Sequence, residues 1–119
     1  MWDIIFYEKP NGRCPVKEFL DDLSPKADVP FINRRLELLA KFGSELRRPH
    51  VAYLRDDIWE LRVETRSGQF RFFHFYFDGQ TIVITHGYQK KTNKVVDSEV
   101  DKAIEYRKDY LTSRRGQRR

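Results

Sequence analysis

The chain of 119 residues predicts an α+β domain, and three observations predict it. Consecutive strand-like runs from Ile58 to Lys91 alternate in polarity or are dense in β-branched and aromatic residues. Glycine-bearing turns, Arg66-Ser67-Gly68 and Asp78-Gly79, join them as an antiparallel meander. The segments on either side space their apolar residues as amphipathic helices do. The predicted order is β-α-α-β-β-β-α, with a mainly antiparallel sheet and the two N-terminal helices on one of its faces.

Taken in order, Trp2 to Glu8 alternates as a first strand and is closed by Pro10-Asn11-Gly12. Pro15 suits the first position of a short helix, where its missing N–H costs nothing, and Val16, Phe19, Leu20 and Leu23 form the buried side. Ser24-Pro25 opens a second helix with Ile32, Leu36 and Leu39 on one face and Gly43 at its end. Pro30 leaves two forms open: a separate first turn with Asp28 capping a restarted helix, or one helix bent at the proline. In the first meander strand Trp59, Leu61 and Val63 share one face, and Ile58, Glu60, Arg62 and Glu64 the other. The second, Gln69 to Phe77, is apolar on both alternating sets, as in a central strand covered on both faces. The third, from Thr81, carries Ile82, Ile84 and His86 at one parity, and its tail, from Gly87 to Lys91, leaves the core. Asp97 or Ser98 caps a last helix with Val100, Ala103, Ile104 and Tyr110 or Leu111 as its less polar side.

The length gives one domain, residues 1–112, followed by a basic C-terminal tail, residues 113–119. A formal net charge of +5 and the run of Arg107, Lys108, Arg114, Arg115, Arg118 and Arg119 make polyanions plausible partners, against the plainer reading of a solvated tail. Neither a membrane-spanning run nor a signal peptide is expected, so a cytoplasmic protein is. The single cysteine, Cys14, rules out an internal disulfide and a cysteine-based metal site. There is no glycine-rich phosphate loop, Ser-His-Asp spacing or HExxH. Asp21-Asp22 and Asp56-Asp57 splay as sequence neighbours and read as helix-end and turn residues, not as a catalytic pair.

Cations beside aromatics in all three meander runs give the sheet the pattern of an RNA-gripping surface. The order and spacing of Pro15-Val16-Lys17-Glu18-Phe19-Leu20, of Leu54 through Ile58-Trp59-Glu60-Leu61-Arg62, of Phe70-Arg71-Phe72-Phe73 and of His86-Gly87-Tyr88-Gln89-Lys90-Lys91-Thr92 before a helix containing Ala103 are similar to the RelE/HigB superfamily of bacterial toxins, in its phage-derived HigB-like branch. The resemblance implies a compact RelE-like fold and the toxin of a type II toxin–antitoxin system, a ribosome-dependent endoribonuclease (mRNA interferase) that inhibits translation and needs no metal or cofactor. It also implies the ribosome, mRNA and a cognate antitoxin, commonly a helix-turn-helix protein, as partners. A non-catalytic module that blocks translation by occupying RNA or the ribosome fits the same surface.

Cleavage without a metal needs a deprotonated 2′-hydroxyl, charge stabilisation at the phosphorane and a protonated leaving 5′-oxygen. Arg62 and Arg71, on adjacent strands, suit the phosphate oxygens, with ion pairs to Glu60 or Glu64 as their structural alternative. Arg71 belongs to a strand that packs through Phe70 and Phe72, which leaves its guanidinium outside the packing. Acid and base are sought among His86, Tyr88, Glu60 and one of Lys90 and Lys91; His86 shares the parity of Ile82 and Ile84 and reads first as a core histidine, and an edge plug is the alternative for Tyr88. Arg47, Arg48, Arg55 and Lys94 extend the RNA-binding set, and His50 reads as a loop residue with an RNA contact as the alternative. Trp59 and His74 read as packing.

Overall fold

A computed structural model describes residues 1–24, 26–91 and 96–117, with side chains as far as Ser113. Its elements are β1 (Asp3–Phe6), α1 (Pro15–Asp22), a 3-10 turn (Lys26–Asp28), α2 (Val29–Phe42), a second 3-10 turn (Gly43–Glu45), β2 (Val51–Arg55), β3 (Ile58–Thr65), β4 (Gly68–Phe77), β5 (Thr81–Lys90) and α3 (Asp97–Gln117). The strands form one mixed sheet in the order β1-β5-β4-β3-β2. β1 runs parallel to β5, and the other pairs are antiparallel.

The sheet lies between two helical layers. On one face Val16 of α1 and Ile32, Leu36 and Leu39 of α2 pack on Leu61, Val63, Phe70, Phe72, Ile82 and Ile84. On the other, Val100 and Ala103 of α3 meet Tyr7, Ile58, Phe73, Phe75 and Val83. Phe70, Phe72, Phe73 and Phe75 of β4 are all fully buried, alternately on the two faces, as a doubly covered central strand requires. Each stabilises the fold by about 1.5–3 kcal/mol through apolar area removed from water.

Pro15 occupies the start of α1 as expected. Of the two forms open at Pro30, the chain takes the separate first turn: the 3-10 turn ends at Asp28, α2 begins at Val29, and Pro30 falls where the helix has no N–H to lose. Gly43 closes α2 with φ +53°, and the indole of Trp2 occupies the space where a Cβ would stand.

The chain departs from the predicted order by one additional strand, β2. Its hairpin to β3 turns on Asp56 and Asp57, at φ 52° and 66°, a left-handed pair in place of the glycine-bearing sequence that marks such turns. The hydroxyl of Tyr53 accepts from the Asp57 N–H at 3.2 Å and supports the turn. α3 continues to Gln117, into the expected basic tail. Among the described residues no helix is long and apolar enough to cross a membrane.

Gly87, expected in a departing tail, is an internal residue of β5, which runs to Lys90. It pairs with Phe72, whose ring lies 2.4 Å from where a Cβ would be. Gly87→Ala is expected to lose about 1–3 kcal/mol by overpacking, read as a lower denaturation midpoint.

Candidate nucleic-acid interface

The site depends on a local irregularity of β5. Phe73 pairs with His86 and His74 with Ile84, so Thr85 is an extra residue opposite two consecutive residues of β4. Its hydroxyl is 3.3 Å from the carbonyl of Phe73, to which it donates. The bulge reverses the parity of everything after it. His86, Tyr88 and Lys90 therefore leave the face of Ile82 and Ile84 and join that of Arg71 and Phe73. This corrects the expected face of His86, which rests on an unbroken alternation, while the side chain is buried as the core reading expects.

Cross-strand partners share a face, so three rows of side chains result. Glu60, Phe73 and His86 form the first, Arg62, Arg71 and Tyr88 the second, and Glu64, Gln69 and Lys90 the third. At the centre Glu60 bridges both arginines: Oε2 accepts from Arg62 Nε at 3.0 Å, while Oε1 lies 3.4 Å from Arg71 Nε. The ion-pair alternative is thus realised for Arg62 and Arg71 at once, through Glu60.

The two guanidinium groups differ in access. The side chain of Arg62 is 29% exposed and that of Arg71 only 6%. Arg71 donates through Nη1 to the Phe70 carbonyl at 3.1 Å and through Nη2 to Gln69 Oε1 at 3.0 Å. Its guanidinium is therefore part of the packed structure, contrary to the expectation that it stands outside the packing. Truncating one partner of such a buried pair costs about 3–5 kcal/mol by leaving the other unpaired. Tyr88 lies beside this cluster, and its phenol is held protonated above its ordinary range by burial, then by the charge of Glu60.

His86 faces α3. Its Nε2 lies 2.9 Å from Glu99 Oε1, and Thr85 Oγ1 is 3.2 Å from Nδ1. Burial pushes its pKa down to about 4 against the opposing pull of Glu99, so the ring is neutral near pH 7 and donates from Nε2 to the carboxylate. A groove of about 270 Å³ opens beside it, lined by Lys9, Glu18, Phe19, Tyr88, Glu99 and Lys102 among others. His74, fully buried on the opposite face, packs edge-on against Tyr76 and is pushed down to about 3 by desolvation. Trp59 packs between Tyr53 and Tyr76, as its parity predicts.

Of the other predicted positions, Lys90 reaches the cationic face and Lys91 is exposed just beyond the strand. Arg55 lies at the other end of β3, paired with Asp56 at 3.2 Å and Asp101 at 2.6 Å. Arg47 donates to the Ser44 carbonyl and its charge acts on Tyr76, which places it on the α1/α2 side. Arg48 is exposed, and Lys94 lies outside the described residues. The structure thus brings together Arg62, Arg71, Tyr88, Lys90 and His86, but not Arg47 or Arg55. It adds Gln69 and Glu99. The two-residue spacing of Gln69 from Arg71 was a usable signal for the first, while nothing in the sequence ties Glu99 to His86.

A five-stranded mixed sheet with two helices on one face, a third on part of the other, and an arginine-rich row beside that third helix makes a compact α+β domain with a cationic face. The family described as Phage derived protein Gp49-like (DUF891) matches residues 18–108, and the chain belongs to that family, a RelE-like group associated with toxin–antitoxin systems. A search of curated proteins finds no match.

Both buried histidines couple protonation to stability. Their folded pKa values, about 3 for His74 and about 4 for His86, lie below the roughly 6.5 of an unfolded histidine. The unfolded chain therefore binds more protons, and stability present above about pH 6.5 falls as pH drops towards 4. A loss of about 2 kcal/mol per histidine is expected between pH 7 and 5. His74→Leu should flatten that slope in denaturant titrations at the two pH values.

Proposed function

We propose that this protein is the toxin of a type II toxin–antitoxin pair, of the HigB-like branch, and that it cleaves mRNA on the ribosome without a metal. The observation that carries the reading is the Arg62-Glu60-Arg71 cluster, set in register with Tyr88 on a part of the sheet beside α3. Family membership supports a cognate antitoxin as partner; a helix-turn-helix protein, the ribosome and mRNA belong to the proposal.

The chemistry follows from the placement of the row and from the proton that Tyr88 retains. Glu60 is the candidate base that takes the proton from the 2′-hydroxyl, whose oxygen attacks phosphorus. The phosphorus–O5′ bond breaks, and Tyr88, holding its proton, is the candidate acid for the leaving oxygen. The products are a 2′,3′-cyclic phosphate and a 5′-hydroxyl. Arg62, the more accessible guanidinium, meets the developing charge on the phosphate, and Arg71 positions Glu60 from beneath. Lys90 and Lys91 hold the strand through its phosphates.

One observation favours the occupancy reading. Arg71 is already committed to protein acceptors, which leaves fewer free cations for a phosphorane than two open arginines would. Primer extension on an mRNA in a reconstituted translation reaction separates the readings. New 5′-hydroxyl ends within codons, dependent on ribosomes, are expected with the wild type. They should fall by about 10²-fold or more with Arg62→Ala, Glu60→Gln and Tyr88→Phe, the scale of a single acid, base or charge-stabilising group. Arrested translation with intact mRNA would instead establish occupancy.

A further inference from the structure

The cationic face continues around the edge of the sheet. β2 begins at Val51, opposite Leu61, so β3 runs on beyond it with its outer edge no longer paired to a strand. The last contacts there are the Arg62 N–H donating to the His50 carbonyl at 2.8 Å and the Arg62 carbonyl accepting from Arg35 Nη1 at 3.2 Å. Arg35 belongs to α2, on the other side of the sheet, and reaches round the edge to make this bond. The same Nη1 meets His50 Nδ1, which fixes the imidazole as an acceptor at that nitrogen.

These groups line a pocket of about 140 Å³ with Pro49, Arg62 and Glu64. Among the described residues no carboxylate pairs with Arg35, whereas Arg62 is shared with Glu60. The pocket thus holds an arginine without a counter-ion, a second arginine that also belongs to the cleavage site, and a histidine whose ring is held in place. Glu64 is the acidic wall, and it is exposed.

We infer that this pocket is a phosphate subsite for the RNA strand, receiving a backbone phosphate next to the one held over Arg62 and Glu60. The inference rests on the proposed reading of the face as an RNA site and extends it around the β3 edge. Arg35 supplies the charge, His50 orients it, and Arg62 is common to both phosphates. The subsite recognises the backbone and not the base, so it contributes affinity and register without sequence preference.

The test is fluorescence anisotropy of a labelled single-stranded RNA oligonucleotide with the full chain, across a range of salt concentrations. Arg35→Gln is expected to weaken binding several-fold and to reduce the log-log salt slope by about 0.7, the share of one phosphate on a single strand. Glu64→Gln, a change at an exposed position that leaves the fold intact, is expected to tighten binding. The ring signals of His50 should shift on titration with the same RNA. Wild-type binding with affinity and slope unchanged in both variants would overturn the subsite and leave the cleavage site standing. Absence of any salt-dependent RNA binding by the wild type would overturn the subsite and count against the RNA reading of the whole face.

Discussion

The extra residue in β5 is the constraint on which the rest of the site depends. Were Thr85 paired regularly with Phe73, the alternation of Ile82 and Ile84 would carry His86, Tyr88 and Lys90 under α1 and α2, where three ionisable side chains would meet the layer of Phe70 and Phe72. The bulge sends Gly87 to that face instead, and its missing side chain makes room for the Phe72 ring. One backbone irregularity therefore satisfies two demands: an apolar layer closes on one side, and a polar row is assembled on the other.

Electrostatics explains why this row is held rather than dispersed. A carboxylate as enclosed as Glu60 is costly unless paired, and it has an arginine on each side. Arg71 is in turn held by a backbone carbonyl and by Gln69, so the buried members fix one another's positions. Arg62 has a protein partner at one end and access to solvent at the other. α3 covers one end of the same face through Val100 and Ala103, and Glu99 ties its first turn to His86. Structural and chemical roles are thus graded across neighbouring strands instead of being assigned to separate regions.

Much of the fold was legible because its signals are local. Pro15 and Gly43 marked helix ends, the double apolar alternation of Gln69 to Phe77 marked a central strand, and the parity of Trp59 placed it in the core. β2 was not legible, because a five-residue strand closed by Asp56-Asp57 carries none of the usual glycine punctuation. The face of His86 was misread for a related reason: parity counts residues, and a bulge changes the count without changing composition. The burial of Arg71 was hidden for another, since enclosure by Glu60, Gln69 and Tyr88 depends on two other strands as well as its own. For the site itself, sequence gave the participants Arg62, Arg71 and Tyr88, and tertiary register gave their relation.

The register of β5 against β4 is the claim on which the site stands, and two-dimensional nuclear Overhauser spectroscopy tests it most directly. With the bulge at Thr85, the His86 ring should show contacts to the rings of Phe73 and Tyr106, whose centroids lie 5.2 and 5.6 Å away. Contacts from the His86 ring to that of Phe72 would place it on the face of α1 and α2 and contradict the account.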